Sequence, residues 1–293
     1  MSLSLDGAAS GAALAGLAGG SPLWLASAVA LIAYAVAALR PAAAPASDDA
    51  QEPRLQLGAA LVIGWIAQGA AIAAHAAGLG EPQPGARFGF APALSVTVWL
   101  VLAVYAVESR VLPLPALRRA LALLGAASVG LALAFPGEWR PGLASAWAPL
   151  HWVLGIAAYG LVGAAVLHAA LLGHAERQLR LRPAGGVTPA PLGLPLLRLE
   201  KLTFRFVVAG FVVLSATLAV GWWFASPWRW DHKSVFSLLA WAVFAGLLVG
   251  RHVFGWRGRR ATRWLYAGAS LLLLAYVGSR FVLEVLMHRG GPA

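Results

Sequence analysis

Long apolar stretches recur along almost the whole chain, and they constrain its fold more than any single motif does. A hydrocarbon core of about 30 Å requires about 20 apolar residues per membrane-spanning helix. The composition agrees, since 60% of the 293 residues are hydrophobic and only 11% are charged. We therefore predict an all-α polytopic membrane protein with about eight transmembrane helices, at residues 21–39, 55–77, 90–107, 116–135, 147–172, 203–224, 234–253 and 262–287.

The basic residues predict how these helices are oriented. The net charge is +11, but Lys and Arg concentrate in alternate loops, near residues 40–54, 110–119, 177–201 and 251–263. Such loops face the cytoplasm under the positive-inside rule, which places both termini outside. Nucleic-acid binding would instead require a basic face or stripe on a soluble domain. The sequence therefore predicts a membrane lipid environment and no nucleic-acid partner.

Several other functions are excluded or disfavoured by what the sequence lacks. Residues 1–20 contain no Lys or Arg, so we expect a retained first helix and not a cleaved signal peptide. The chain has no cysteine, which excludes disulfides and thiol chemistry. It also has no P-loop and no dinucleotide glycine fingerprint, so no nucleotide partner is expected.

The turn between the predicted sixth and seventh helices has the most unusual composition in the chain. Residues 221–233 contain Trp222, Trp223, Trp228, Trp230, Asp231 and His232. Indole rings commonly anchor a protein at the membrane–water boundary, but the same rings could form an aromatic platform for a planar ligand. Asp231 is placed to cap the seventh helix, and orientation of a ligating imidazole is its functional alternative.

Three of the seven histidines converge on the predicted outer face. His75 ends the second predicted helix, His151 begins the fifth and His232 precedes the seventh. His168 cannot join them, because it lies about 25 Å from His151 along the same helix. Two neutral imidazoles can hold a haem iron, and His151 with His232 is the preferred pair. His75 is a third ligand, a ligand in another state, or a hydrogen-bonded core histidine.

Four segments of the chain form a recognisable combination: HWVLGIAAY from His151, WRWDHK from Trp228, FSLLAW from Phe236 and GWRGRR from Gly255. Together they resemble the cytochrome c assembly (CcsA-like) integral membrane proteins, and most of all their compact YpjD-like branch. The resemblance covers about residues 55–286. It departs from the family in the turn, where His232 replaces a proline and Ser234 replaces a glutamate.

This resemblance implies haem handling at the outer face of a bacterial inner membrane. In the family, a tryptophan-rich segment presents non-covalent, b-type haem, and histidines on either side supply axial ligands for delivery to apocytochrome c. His151 matches the preceding histidine and His232 the following one. The platform matches Trp222, Trp223, Trp228, Trp230 and Asp231. Apocytochrome c and other assembly proteins are the implied partners.

We therefore predict a haem-binding or haem-delivering factor of cytochrome c biogenesis, and we assign it no enzymatic turnover. Two alternatives remain: a non-haem accessory subunit of a membrane transport system, and a small-solute or cation transporter that would use the central His168. The predicted organisation is a tail at 1–20, a first helix and cytoplasmic loop at 21–54, an assembly-like domain at 55–288 and a tail at 289–293.

Overall fold

The chain folds into a bundle of long helices. The computed structural model describes residues 22–39, 51–76, 85–108, 115–141, 148–181, 196–224 and 230–286. Among the described residues, the first seven predicted apolar segments each coincide largely with one helix and the eighth with a helix and its continuation, so the prediction of an α-helical polytopic protein is confirmed. The eight long helices are α1 Pro22–Leu39, α2 Gln51–Ala76, α3 Phe90–Glu108, α4 Pro115–Ala134, α5 Ala148–Arg180, α6 Leu196–Phe224, α7 His232–Phe254 and α8 Gly258–Leu273.

Six of these helices, α2 to α7, are long and apolar enough to cross a membrane. Helix α1 contains a shorter apolar stretch, Leu23–Leu39. Helix α8 continues without a break through two π-helical turns, Leu274–Gly278 and Val282–Leu286, joined by the short helix Ser279–Phe281. We call the run from Leu274 to Leu286 the π-helical extension. The predicted orientation, with both termini outside, stays a prediction because both tails lie beyond the described residues.

The described residues form two apolar cores. The first joins α1 to α4 around Tyr34 and Leu102 and also includes Leu172 of α5 and Leu199 of α6. The second joins α5 to α8 around Phe244 and Leu265. The two halves meet where α3 packs on α5. At this seam a Cβ on Gly160 would lie 2.6 Å from a methyl carbon of Leu100, so glycine permits the close approach.

Two helices extend further than the hydropathy predicts. Helix α5 has 33 residues and helix α6 has 29, because both continue beyond their apolar parts into basic sequence. Residues 196–202, which precede the predicted sixth apolar segment, form the first turns of α6. Hydropathy detects the part of a helix that lies in lipid, and charged residues such as Arg177 and Arg198 can prolong the same helix into water.

A short antiparallel ribbon pairs β1, Gly85–Phe88, with β2, Glu138–Pro141. It was not predicted, because two four-residue strands separated by 49 residues carry no alternating pattern long enough to recognise. Glu138 accepts a 2.8 Å hydrogen bond from the buried Arg280 of the π-helical extension. The ribbon therefore connects the first half of the bundle to the end of the second.

Candidate functional site

A cavity of about 760 Å³ lies between the two halves of the bundle. Its size falls within the range of roughly 300–1,000 Å³ that is usual for small-molecule and cofactor sites. Apolar side chains from seven helices form most of its wall. Among the described residues that line it, the ionisable side chains, apart from two tyrosines, are His75, His151 and Lys233. The cavity therefore lies at the end of the bundle that the sequence places at the outer face.

His151 lies in the first turn of α5 and is half-buried against α6. Its Nδ1 atom is 3.0 Å from the backbone carbonyl oxygen of Thr217. A carbonyl can only accept, so Nδ1 carries the hydrogen and Nε2 carries the lone pair that a metal ion would use. Gly221 makes room for the ring, since a Cβ there would lie 3.0 Å from Cε1 of His151. Helix α6 thus fixes both the tautomer and the position of this imidazole.

His75 lines the same cavity from the last turn of α2. Its Nε2 atom is 2.9 Å from the carbonyl oxygen of Pro136, which follows α4 and also lines the cavity. By the same reasoning Nε2 donates, and Nδ1 carries the lone pair. The structure thus brings together two of the three predicted histidines, each with one ring nitrogen hydrogen-bonded to the backbone.

His232 and the tryptophans lie elsewhere. His232 is the first residue of α7, is exposed, and is not among the residues that line the cavity. Trp222, Trp223 and Trp230 are 64%, 79% and 71% exposed, so these rings lie on the surface of the chain. Trp228 falls outside the described residues. The two surface roles considered for these rings, anchoring and ligand platform, are both compatible with this exposure.

Asp231 caps α7, as predicted. One carboxylate oxygen accepts 2.9 Å and 2.8 Å hydrogen bonds from the backbone N–H and the hydroxyl of Ser234. Burial acts to raise the pKa of Asp231, but these hydrogen bonds and the positive charge of Lys233 outweigh it and hold the pKa below its usual value. The cap fixes the start of α7, where Lys233 lines the cavity.

Lys233 and two tyrosines are cavity residues that the sequence analysis missed. The ammonium group of Lys233 lies 5.6 Å from the ring centroid of Tyr276, on the π-helical extension. The Tyr159 hydroxyl donates to the carbonyl oxygen of Leu272. π-Helical turns are frequent at functional sites, but no residue pattern marks them in a sequence. Trp152, which also lines the cavity, had a signal, because it follows His151 directly.

A buried polar network forms one wall of the cavity and joins four helices. Gln68 is fully buried, and its amide oxygen accepts a 2.6 Å hydrogen bond from the hydroxyl of Tyr34. Its amide nitrogen lies 3.0 Å from the hydroxyl oxygen of Ser95 and 3.1 Å from that of Ser128. These bonds satisfy the amide in the apolar interior and hold α1 to α4 in register.

His168 is a core residue of the bundle. It is buried, its Nδ1 atom is 2.7 Å from the carbonyl oxygen of Ala164 one turn earlier, and its ring packs 5.1 Å from that of Phe206. Within the described ranges, no group of three or more His, Cys, Asp or Glu side chains is arranged to hold a metal ion. The contacts of His168 therefore give no specific support to a cation pathway.

Comparison with known proteins identifies the family. The model of the family described as "Cytochrome C assembly protein" matches residues 88–287, more than half of the chain. The inner membrane protein YpjD of Escherichia coli K12 is 34% identical over 167 residues, which cover 55% of this chain and 62% of YpjD. The cytochrome c biogenesis protein CcsA of Prochlorococcus marinus MIT 9303 is 29% identical over 179 residues, or 52% of this chain and 56% of CcsA.

The chain matches less than two thirds of the length of these relatives. No solved structure matches it. The family match includes His151, His232 and the tryptophan-rich turn, whereas His75 precedes it. The six apolar helices, together with the similarity to YpjD, make this a multi-pass protein of the bacterial inner membrane. By the extent of the family match, the chain belongs to the cytochrome c assembly protein family.

Proposed function

We propose that this protein binds b-type haem non-covalently in the cavity between the two halves of the bundle and handles it for cytochrome c biogenesis at the outer face of the membrane. The observation that carries the proposal is the presence of two backbone-anchored imidazoles, His75 and His151, on the wall of one largely apolar cavity. Membership of the cytochrome c assembly family supports the biogenesis role.

The donor set of the cavity fits haem. The macrocycle is planar and apolar, so it suits walls made of aliphatic and aromatic side chains, and its two carboxylates need cationic or hydrogen-bonding partners. Lys233 supplies a positive charge at the wall. Bound haem would supply an iron that cycles between ferric and ferrous states, with a potential set by the side chains that hold it and by burial. The chain would exclude water and hold the imidazoles in a fixed tautomer.

The structure favours His75 as the partner of His151. Both line the cavity, whereas His232 is exposed and is not among the residues that line it. The pair His151 and His232, predicted from the sequence, is the alternative that the same experiment tests. His151 belongs to both candidate pairs, and Thr217 and Gly221 position its ring in either arrangement.

The tryptophan-rich turn supplies the second part of the proposal. Trp222, Trp223, Trp228 and Trp230 would form an aromatic platform that contacts haem during transfer to apocytochrome c or another assembly protein. Asp231 would act indirectly by fixing the start of α7 and with it Lys233. The exposure of three of the four rings supports this role, since a transfer surface must be accessible.

The test is the visible spectrum of four histidine variants purified with haem. His151→Ala and His75→Ala should each abolish a low-spin bis-histidine spectrum, because each removes one imidazole that would hold the iron. His232→Ala should retain it. His174→Ala is the matched control, since this exposed residue lies about four turns along α5 beyond Tyr159, the last residue of that helix in the cavity lining. Loss with His232→Ala and retention with His75→Ala would restore the sequence-based pair. Equal loss in all four variants would contradict the cavity model.

A further inference from the structure

A second, open depression lies at the end of α6 and α7 that is opposite to the cavity described above. We call it the basic groove; it has a volume of about 530 Å³ and runs between α6 and α7. It is lined by Lys201, Phe204, Arg205, Val208, Ala209 and Arg251. Its three charged side chains are all cationic, and the other three are apolar. None of the described residues lines both this groove and the cavity that contains His75 and His151.

The groove changes from charged to apolar along α6. Lys201, Phe204, Arg205 and Val208 are spaced three or four residues apart and so occupy one face of the helix. The rise of the helix puts Val208 about 10 Å beyond Lys201, deeper in the apolar part of α6. A ligand that fills the whole groove must therefore carry an anionic group at one end and hydrocarbon at the other.

Arg251 is held rigidly at the charged end. Its Nη1 atom donates a 3.0 Å hydrogen bond to Glu200, and its guanidinium carbon lies 3.4 Å from the ring centroid of Phe204. A guanidinium has five N–H donors, so this arrangement leaves capacity to bind an anion. Arg251 is thus ordered before any ligand arrives, which reduces the entropic cost of binding.

The charge balance at this end favours an anion. Four described cations line the groove or lie close to Glu200: Lys201, Arg205, Arg251 and Arg257. Glu200 contributes one negative charge, so the local net charge is +3. Glu200 is 17% exposed and already paired with Arg251. The other two lining cations, Lys201 and Arg205, are both exposed.

We propose that the basic groove binds an anionic membrane phospholipid. Lys201, Arg205 and Arg251 contact the phosphate, and one acyl chain lies along Val208 and Ala209. Basic pockets between transmembrane helices on the cytoplasmic side suit anionic headgroups, and the predicted orientation puts this end in the cytoplasm. The apolar wall selects a lipid over free phosphate, because phosphate would leave that wall uncovered.

The experiment measures lipid binding to the full-length protein in detergent by native mass spectrometry. Phosphatidylglycerol should be retained, and phosphatidylcholine, which has no net charge, should not. Each cation near an anionic lipid surface contributes about 1 kcal/mol, so the double variant Lys201→Gln/Arg205→Gln should lose about 2 kcal/mol of binding free energy. At 1.4 kcal/mol per tenfold change, it should bind phosphatidylglycerol roughly thirty-fold more weakly. The matched control is Arg259→Gln/Arg263→Gln, which removes two exposed charges outside the groove and should bind normally.

A third variant tests the acyl part of the site. Val208→Trp keeps every charge but fills the apolar end at a position that is already 44% exposed, so it should weaken lipid binding without disturbing the core. Equal retention of both lipids, equal loss in the control, or saturation by inorganic phosphate at the same site would each overturn the proposal. Haem content should be unchanged in all these variants, so failure of the groove and failure of the haem cavity are separate results.

Discussion

Replacement of Gly221 by alanine tests whether α6 positions the haem ligand His151. The added Cβ would lie 3.0 Å from Cε1 and 3.3 Å from Nδ1 of the ring. Carbon atoms in ordinary contact are about 3.5–4.0 Å apart, so the ring must move away from α6 by roughly 0.5 Å. The same movement lengthens its 3.0 Å hydrogen bond to Thr217 beyond the usual limit of about 3.2 Å.

Loss of a hydrogen bond that orients a metal-ligating histidine typically weakens metal affinity by about 10–100-fold. We therefore expect Gly221→Ala to weaken haem binding about tenfold, or about 1.4 kcal/mol, in an absorbance titration of the detergent-purified protein. Gly58→Ala is the matched control, because Gly58 lies inside α2 away from the cavity lining and a Cβ there would meet no described atom within 4 Å. Both substitutions gain similar helix propensity. Unchanged affinity in Gly221→Ala, or an equal loss in both variants, would refute this reasoning.

Two further predictions concern stability, measured by equilibrium unfolding in mixed micelles. Gln68→Leu should lower the free energy of unfolding by about 2 kcal/mol, at roughly 0.6 kcal/mol for each of three interhelical hydrogen bonds in a membrane protein. Adding Tyr34→Phe should recover part of this loss, because it removes the hydroxyl that Gln68→Leu leaves without its partner. A further, additive loss in the double variant would argue against the network. Asp231→Ala should cost about 1 kcal/mol and Asp231→Asn only a few tenths. Because the pKa of Asp231 is lowered in the folded state, its contribution to the free energy of unfolding is complete above the usual pKa and is lost as the pH falls through the folded-state pKa. A stability deficit in Asp231→Ala that stays constant with pH would contradict this.

The helices could be predicted because lipid imposes a minimum apolar length on each one. The cap of α7 was also predictable, since Asp231 immediately precedes an apolar run, and capping depends on neighbouring residues only. The extra turns of α5 and α6 could not be predicted from hydropathy. Arg177 and Arg198 lie in those extra turns, where helical structure no longer depends on contact with lipid.

The cavity itself was beyond sequence reasoning. Depth along each helix correctly grouped His75 and His151 at one end of the bundle, but it gave no information about which side of each helix faces the interior. That depends on how the two four-helix halves pack around α3 and α5, which is a long-range property. For the same reason Lys233 was read as a loop residue, although the first turn of α7 places it on the cavity wall.

The tryptophan-rich turn and the ion pair of Arg280 differ in how far apart their residues lie in the sequence. The tryptophan-rich turn is conspicuous in the sequence because its residues are adjacent. The partner of Arg280, by contrast, is Glu138, which lies 142 residues away on an unpredicted strand. Contacts of this kind become visible only when the fold is known.

The central claim, that haem binds in the cavity between His75 and His151, is tested most directly by one measurement on the protein purified from membranes. This is the reduced-minus-oxidised visible spectrum, with the haem content per chain determined on the same sample. We expect sharp low-spin bands and approximately one haem per chain in saturated protein. A colourless protein that takes up no added haem would contradict it and would favour a non-haem accessory role for this member of the family.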